Sequence, residues 1–197
     1  MLTLAGAYLR LVRAFERIAD LTDEIYREGS NLTAAADETG HFADLDAVAP
    51  MITVIASETV HNLRGSLDHL VYQLAALDSG SHQPAARFPI CETLEQFRAD
   101  ATVALHGLNA AHIERLDAVQ PYRGVQWPRK LVELTDPARQ STLVLVTPES
   151  DARAPFYAST ESTRILAFAD GSPVVTSLGD LAREVSQLLE SFNPDFA

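Results

Sequence analysis

Two imidazoles, an amide, a guanidinium and a carboxylate fall within one short stretch of this sequence, His61-Asn62-Leu63-Arg64-Gly65-Ser66-Leu67-Asp68-His69. An imidazole changes charge near neutral pH and can act as general acid or base. A guanidinium can stabilise charge that develops on a phosphate or carboxylate. The stretch belongs to a helix expected over 51–78, opened after Pro50 and closed before Ser79-Gly80-Ser81. At about 100° per residue, Val60, Leu63, Leu67, Leu70, Val71 and Leu74 share one side. Glu58, His61, Asn62, Gly65, Asp68, His69 and Tyr72 share the other. A merely solvated face carries lysine and glutamate in i,i+4 pairs, and this one holds no lysine. Gly65 costs about 1 kcal/mol of helix propensity relative to alanine, which favours a position where a helix or a ligand comes close.

Two readings of that face stay open. It is either a helix–helix contact tied by hydrogen bonds, with Arg64 and Asp68 as an i,i+4 pair, or a functional cleft. As a cleft it admits three chemistries. Glu58-x-x-His61 has the spacing by which carboxylate and imidazole project into a metal-binding bundle. A metal would need further ligands, and the one other such pair, Glu38-x-x-His41, includes Gly40. His61 and His69 stand about 12 Å apart along the axis, so one ion cannot take both. No metal or organic cofactor is therefore expected, with Glu58 and His61 as the weak metal candidates. The remaining chemistries are nucleolytic cleavage, and non-enzymatic binding of a small molecule or a partner helix.

Arg64-x-x-x-x-His69 resembles the R-x4-6-H motif of HEPN-domain proteins. That resemblance implies a helical bundle acting as a metal-independent ribonuclease, often as a dimer with a composite site. His69 would be the acid or base and Arg64 the phosphate clamp, with His61, Asn62 and Asp68 orienting them. Here Gly65 follows the arginine, where the motif usually has a polar residue. A five-residue offset also sets the two side chains about 140° apart.

A wider set of residues, His61-Asn-Leu-Arg-x-x-Leu-Asp-His-Leu70, Phe88-Pro-Ile90, Gln120-Pro-Tyr122 and Leu134-x-Asp136-x-x-Arg139, resembles a family of uncharacterised bacterial proteins. The resemblance spans about residues 51–145. It implies a helical N-terminal half and a β-rich tail, with no activity attached. That family shows Asp-Lys-His-Arg where this chain has Asp136-Pro137-Ala138-Arg139. If the missing lysine and histidine are catalytic, this member is impaired.

The elements that must position these residues are set by periodicity. Leu4, Leu11, Phe15, Ile18 and Ile25 predict a first helix over 3–28. Gly29, Ser30, Asn31, Gly40 and Pro50 break the next stretch, where a short strand near 41–48 is possible. Thr93 with Gln96 forms a capping box for a helix over 93–105. Asn109 caps another over 110–119, and Pro128 opens a short one over 128–135. The β-branched runs 141–147, 155–160 and 163–168 then read as strands, and Asp170-Gly171 as a hairpin turn into a strand at Val174-Val175-Thr176. An amphipathic helix over 178–192 closes the chain. The fold class expected is α+β, mainly α: a single domain over 1–197, with a helical bundle over 1–138 and a small antiparallel sheet or hairpin over 139–177.

Composition narrows the partners. The 197 residues are 47% apolar, enough for a core. Net charge is −12, and lysine supplies one of the 15 basic residues. So acidic a chain binds phosphate backbones only if it gathers its cations locally. Arg123, Arg129, Lys130 and Arg139 are one candidate patch; 31–60 has five acids and no Lys or Arg. The single Cys91 excludes an internal disulfide, and its Phe-Pro-Ile-Cys context reads as a buried thiol rather than a nucleophile. No signal peptide or membrane span is read, so a cytoplasmic protein is expected. There is no G-x-G-x-x-G, Walker A loop, G-x-S-x-G elbow or C-x-x-C. A homodimer is the expected assembly, with RNA or an antitoxin-like protein as further partners.

Overall fold

The computed structural model describes residues 2–34, 45–136, 143–146 and 165–197. Its first helix, α1 (Ala5–Ala34), buries Leu4, Ala7, Leu11, Ala14 and Leu21, spaced mostly three or four apart. Phe15, expected on that stripe, is instead 41% exposed. Ala14 takes the inward position beside it and is fully buried.

The partner of α1 is α2 (Leu45–Ser79). Gly6 meets His69, Ala7 meets Ser66, Arg10 meets Gly65 and Arg17 meets Glu58, so the two helices run antiparallel. Ser66 Oγ donates to the Ala7 carbonyl at 2.8 Å in the buried centre of this crossing. The apolar side predicted for α2 is the buried one: Val60, Leu63, Leu67, Leu70, Val71 and Leu74 are at most 2% exposed. The helix starts earlier than expected, with Pro50 inside it. Residues 45–48 are therefore helical and not a strand, while 41–44 lie outside the described residues. Proline has no N–H, so the carbonyl of Asp46 lacks its usual donor there.

Three shorter helices come next: α3 (Leu94–Ala104), α4 (Ala110–Ala118) and α5 (Trp127–Glu133). The local chemistry is as the sequence indicates. Thr93 and Gln96 form the capping box of α3, Asn109 caps α4, and Pro128 lies in the first turn of α5. A 3-10 turn at Pro121–Arg123 separates α4 from α5.

The strand β1 (Leu143–Val146) pairs antiparallel with β2 (Ile165–Phe168), Leu143 opposite Phe168 and Val146 opposite Ile165. The expected strand at 155–160 lies outside the described residues. Asp170-Gly171 does make a tight turn, with Gly171 at φ +80° and the Phe168 N–H donating to the Ser172 carbonyl. The next element is a helix, α6 (Val174–Phe192), so the strand expected at Val174–Thr176 is corrected. Pro173 cannot donate to a ladder, which ends at one bridge to Ala167. Val174, Leu178, Leu181, Val185, Leu188, Leu189 and Phe192 then continue a helical period into the core.

The α6 helix packs against both α1 and α2, and the fold is mainly helical. Among the described residues no helix is long and apolar enough to cross a membrane.

Candidate functional site

Arg64 and Asp68 leave the polar edge of α2 on the side away from α1 and close on one residue of the segment after the helix. Asp68 Oδ1 accepts from the Phe88 N–H at 2.9 Å, and Arg64 Nη2 donates to the Phe88 carbonyl at 2.6 Å. The two side chains also pair with each other, at 3.3 Å. Phe88 is fully buried between them and the core, its ring 6.1 Å from Trp127. A backbone with no strand beside it needs partners for its polar groups, and here the i,i+4 pair supplies both.

Gln120 continues the same work along the segment. Its Oε1 accepts from the Cys91 N–H at 3.0 Å, while Nε2 donates to the carbonyls of Pro89 at 3.0 Å and Leu116 at 2.9 Å. It is fully buried, so each of these replaces a bond that water would otherwise make. Arg64, Asp68, Phe88, Pro89 and Gln120 thus form one hydrogen-bonded clamp on residues 88–91.

His69 faces the other way, toward α1. Its ring rests on Gly6 so closely that a Cβ there would stand 2.4 Å from Nε2. Gln73 Nε2 lies 3.4 Å from the same ring nitrogen, and Nδ1 has no hydrogen-bond partner among the described residues. The Tyr72 ring is 6.2 Å from His69 and stacks on His82 at 4.4 Å with 6° between planes. Burial lowers the pKa of His69, and the charges of Arg10 and His82 lower it further. The imidazole is therefore neutral at pH 7. One turn away Arg10 lies across Gly65, its Nη1 3.1 Å from where a Cβ would be. Sequence reasoning misses Arg10, although two helical glycines, Gly6 and Gly65, signal a close crossing.

The remaining candidates separate. Asn62 Nδ2 donates back to the Glu58 carbonyl at 2.9 Å, a bond internal to α2. Glu58 pairs with Arg17 at 3.6 Å. His61 is exposed. Among the described residues no three His, Cys, Asp or Glu side chains gather where they could hold a metal ion. Glu38 and His41, the alternative pair, lie outside the described residues, as does Arg139. Other cations of that second patch have partners: Arg123 pairs with Asp117, Arg129 with Glu92, and Lys130 Nζ with Ser177 Oγ at 3.2 Å. Cys91 is 3% exposed, and burial with the nearby Asp100 carboxylate pushes its thiol up.

A second polar cluster carries no signature in the sequence. His112 Nδ1 lies 2.7 Å from Asp78 Oδ2, and Nε2 lies 3.5 Å from Asp195 Oδ1. Asp78 also accepts from the Asn109 N–H and side-chain amide, each at 2.8 Å. Arg115 pairs with Asp195 at 2.6 Å, and its guanidinium lies over the Phe192 ring at 3.6 Å. This ties the end of α2, the start of α4 and the residues after α6.

No family model, curated protein or solved structure matches this chain.

Proposed function

We propose that the chain is a non-enzymatic binding module whose recognition surface is the polar edge of α2 where it meets α1. One observation carries this reading: the guanidinium of Arg64 is committed to the Phe88 carbonyl and to Asp68. The HEPN-like ribonuclease reading requires Arg64 and His69 to face one phosphate. In this fold they leave α2 on opposite sides, and Arg64 positions backbone. His61 is exposed and His69 and Tyr72 are half-buried, with Arg10 one turn from His69, a set suited to holding a ligand rather than to driving acid–base chemistry with a paired arginine.

The test is metal-free cleavage of several RNAs by the wild type, Arg64→Ala and His69→Ala, with thermal unfolding alongside. The expected result is no cleavage by any of them and a lowered melting temperature for Arg64→Ala. Cleavage by the wild type that His69→Ala abolishes, with the fold retained, overturns the reading.

A homodimer is the second proposal, supported by an exposed apolar stripe on α1. Leu9, Val12 and Phe15 are 67%, 50% and 41% exposed on one side of the helix. Light scattering should show a dimer that Leu9→Glu with Phe15→Glu converts to monomer; a monomeric wild type at high concentration removes the proposal.

A further inference from the structure

Lysine occurs once in this chain, at Lys130 in α5. Several arginines are held by carboxylates: Arg123 on Asp117, Arg129 on Glu92 and Arg183 on Asp180. Lys130 is placed differently. Its Nζ donates to Ser177 Oγ at 3.2 Å, a hydroxyl on α6 whose residue is 5% exposed, and it makes no ion pair among the described residues. An ammonium carries three donors, and the serine takes one.

Lys130 lines a cavity of about 310 Å³ together with Glu133 and Leu134 at the end of α5, and with Phe168, Ala169 and Asp170 where β2 runs into its turn. That volume falls at the small end of the range for small-molecule sites, about 300–1,000 Å³. Leu134 and Phe168 are buried and supply apolar surface, while Ala169 and Asp170 are exposed and leave the mouth open to solvent. The turn at that mouth is held in shape. Asp170 Oδ1 accepts from the Ser172 N–H at 2.9 Å and from its hydroxyl at 2.6 Å, with Gly171 at φ +80°.

Both signs of charge therefore line one small, partly apolar space. A ligand with a carboxylate alone would meet Lys130 but also Glu133 and Asp170. One with an amine alone would meet those two acids but also the ammonium. A zwitterion answers both signs at once. A carboxylate offers about four acceptor positions, so Glu133 and Asp170 can take a ligand ammonium beside the partners they already have.

We propose that this cavity binds a free α-amino acid with an apolar side chain. Its carboxylate pairs with Lys130, its ammonium faces Glu133 and Asp170, and its side chain lies on Leu134 and Phe168. The site is separate from the polar edge of α2 and stands or falls apart from the reading of that edge.

Because lysine occurs once, protein grown with 13C-lysine gives a single lysine side-chain signal by NMR, which reports on the cavity directly. L-leucine and L-phenylalanine are the probes, each compared with its N-acetyl derivative and its amide at constant pH and ionic strength. The expected result is a Lys130 signal that moves and saturates with at least one of the two amino acids. Each blocked derivative should bind about tenfold more weakly. Calorimetry then compares variants. Lys130→Gln, whose side-chain amide can still reach Ser177, should lose about tenfold in affinity for the amino acid and none for its amide. Ala169→Trp, at the exposed mouth, should abolish binding while circular dichroism stays unchanged.

A Lys130 signal that neither amino acid moves at millimolar concentration overturns the proposal. So does an N-acetyl derivative or an amide that binds as well as its parent, or a Lys130→Gln variant of full affinity.

Discussion

Arg64 Nη2 lies 2.6 Å from the carbonyl oxygen of Phe88, while the amide of that same residue is held by Asp68. Both backbone groups of one buried residue thus depend on a single turn of α2. Arg64→Ala should cost about 1.5–3 kcal/mol of stability, the value for hydrogen bonds involving a charged group. The lower part of that range is expected, since the side chains of Arg64 and Asp68 are 27% and 36% exposed. Asp68→Asn keeps an acceptor for the Phe88 amide, so it should cost less than Asp68→Ala. Urea unfolding of the three variants checks the order.

Gly6→Ala tests the seat of His69. In an ordinary helix this change stabilises by about 1 kcal/mol. Here the new methyl collides with Nε2, Cε1 and Cδ2 of the imidazole, at 2.4, 2.8 and 3.0 Å. The substitution should therefore destabilise the wild type and turn stabilising in a His69→Ala background. A double-mutant cycle with no coupling between the two positions would show that the ring moves aside freely.

Two groups set opposite ends of the pH profile. His69 has a lowered pKa when folded, so below about 6.5 the unfolded chain takes up more protons and stability falls with pH. Unfolding midpoints between pH 5 and 8 should drop on acidification, and His69→Gln should flatten that slope. For Asp195 burial pushes the carboxyl up, but Arg115 and His112 outweigh it and hold the group below its ordinary value. The stability it contributes is present above about pH 4 and lost as pH falls further. Asp195→Asn should remove that acid-limb contribution and leave the His69 slope intact.

The His112 cluster predicts an unequal pair. His112 and Asp78 are 7% and 8% exposed, and Asp195 is 27% exposed. Asp78 accepts from His112 and from the Asn109 N–H and side-chain amide, so Asp78→Ala removes an acceptor shared by three donors and should cost about 1–3 kcal/mol. Asp195→Ala, closer to solvent, should cost clearly less. Equal losses in chemical denaturation would contradict the ranking of these two contacts.

The features legible in the sequence are local ones. Thr93 with Gln96, Asn109 and the leucine side of α2 depend on neighbours within four residues, so spacing alone finds them. The 174–176 strand fails for the converse reason: three β-branched residues after a turn look extended until Leu178, Leu181 and Val185 are included in the period. The motif His61–His69 stands out as unusual, and the five-residue offset already sets Arg64 and His69 about 140° apart, but the partner each of them meets does not follow from spacing. Whether Arg64 faces phosphate or backbone depends on where Phe88 lies, twenty-four residues away. Arg10 escapes because its place beside His69 comes from the register of α1 on α2, fixed by Gly6, Ala7, Gly65 and Ser66 and invisible in either helix alone.

The tie between Asp78, His112 and Asp195 also orders events in time. Its three members are separated so widely along the chain that the last arrives only after synthesis has passed residue 195. Until then His112 has Asp78 on one nitrogen and nothing from the C-terminal residues on the other. The antiparallel α1–α2 pair, whose contacts are closer in sequence, can form while the rest is still being made. The turn that carries Asp195 therefore acts as a latch set after the helical pair, and a nascent chain stopped short of it would carry a packed helical pair with the α4 end still open.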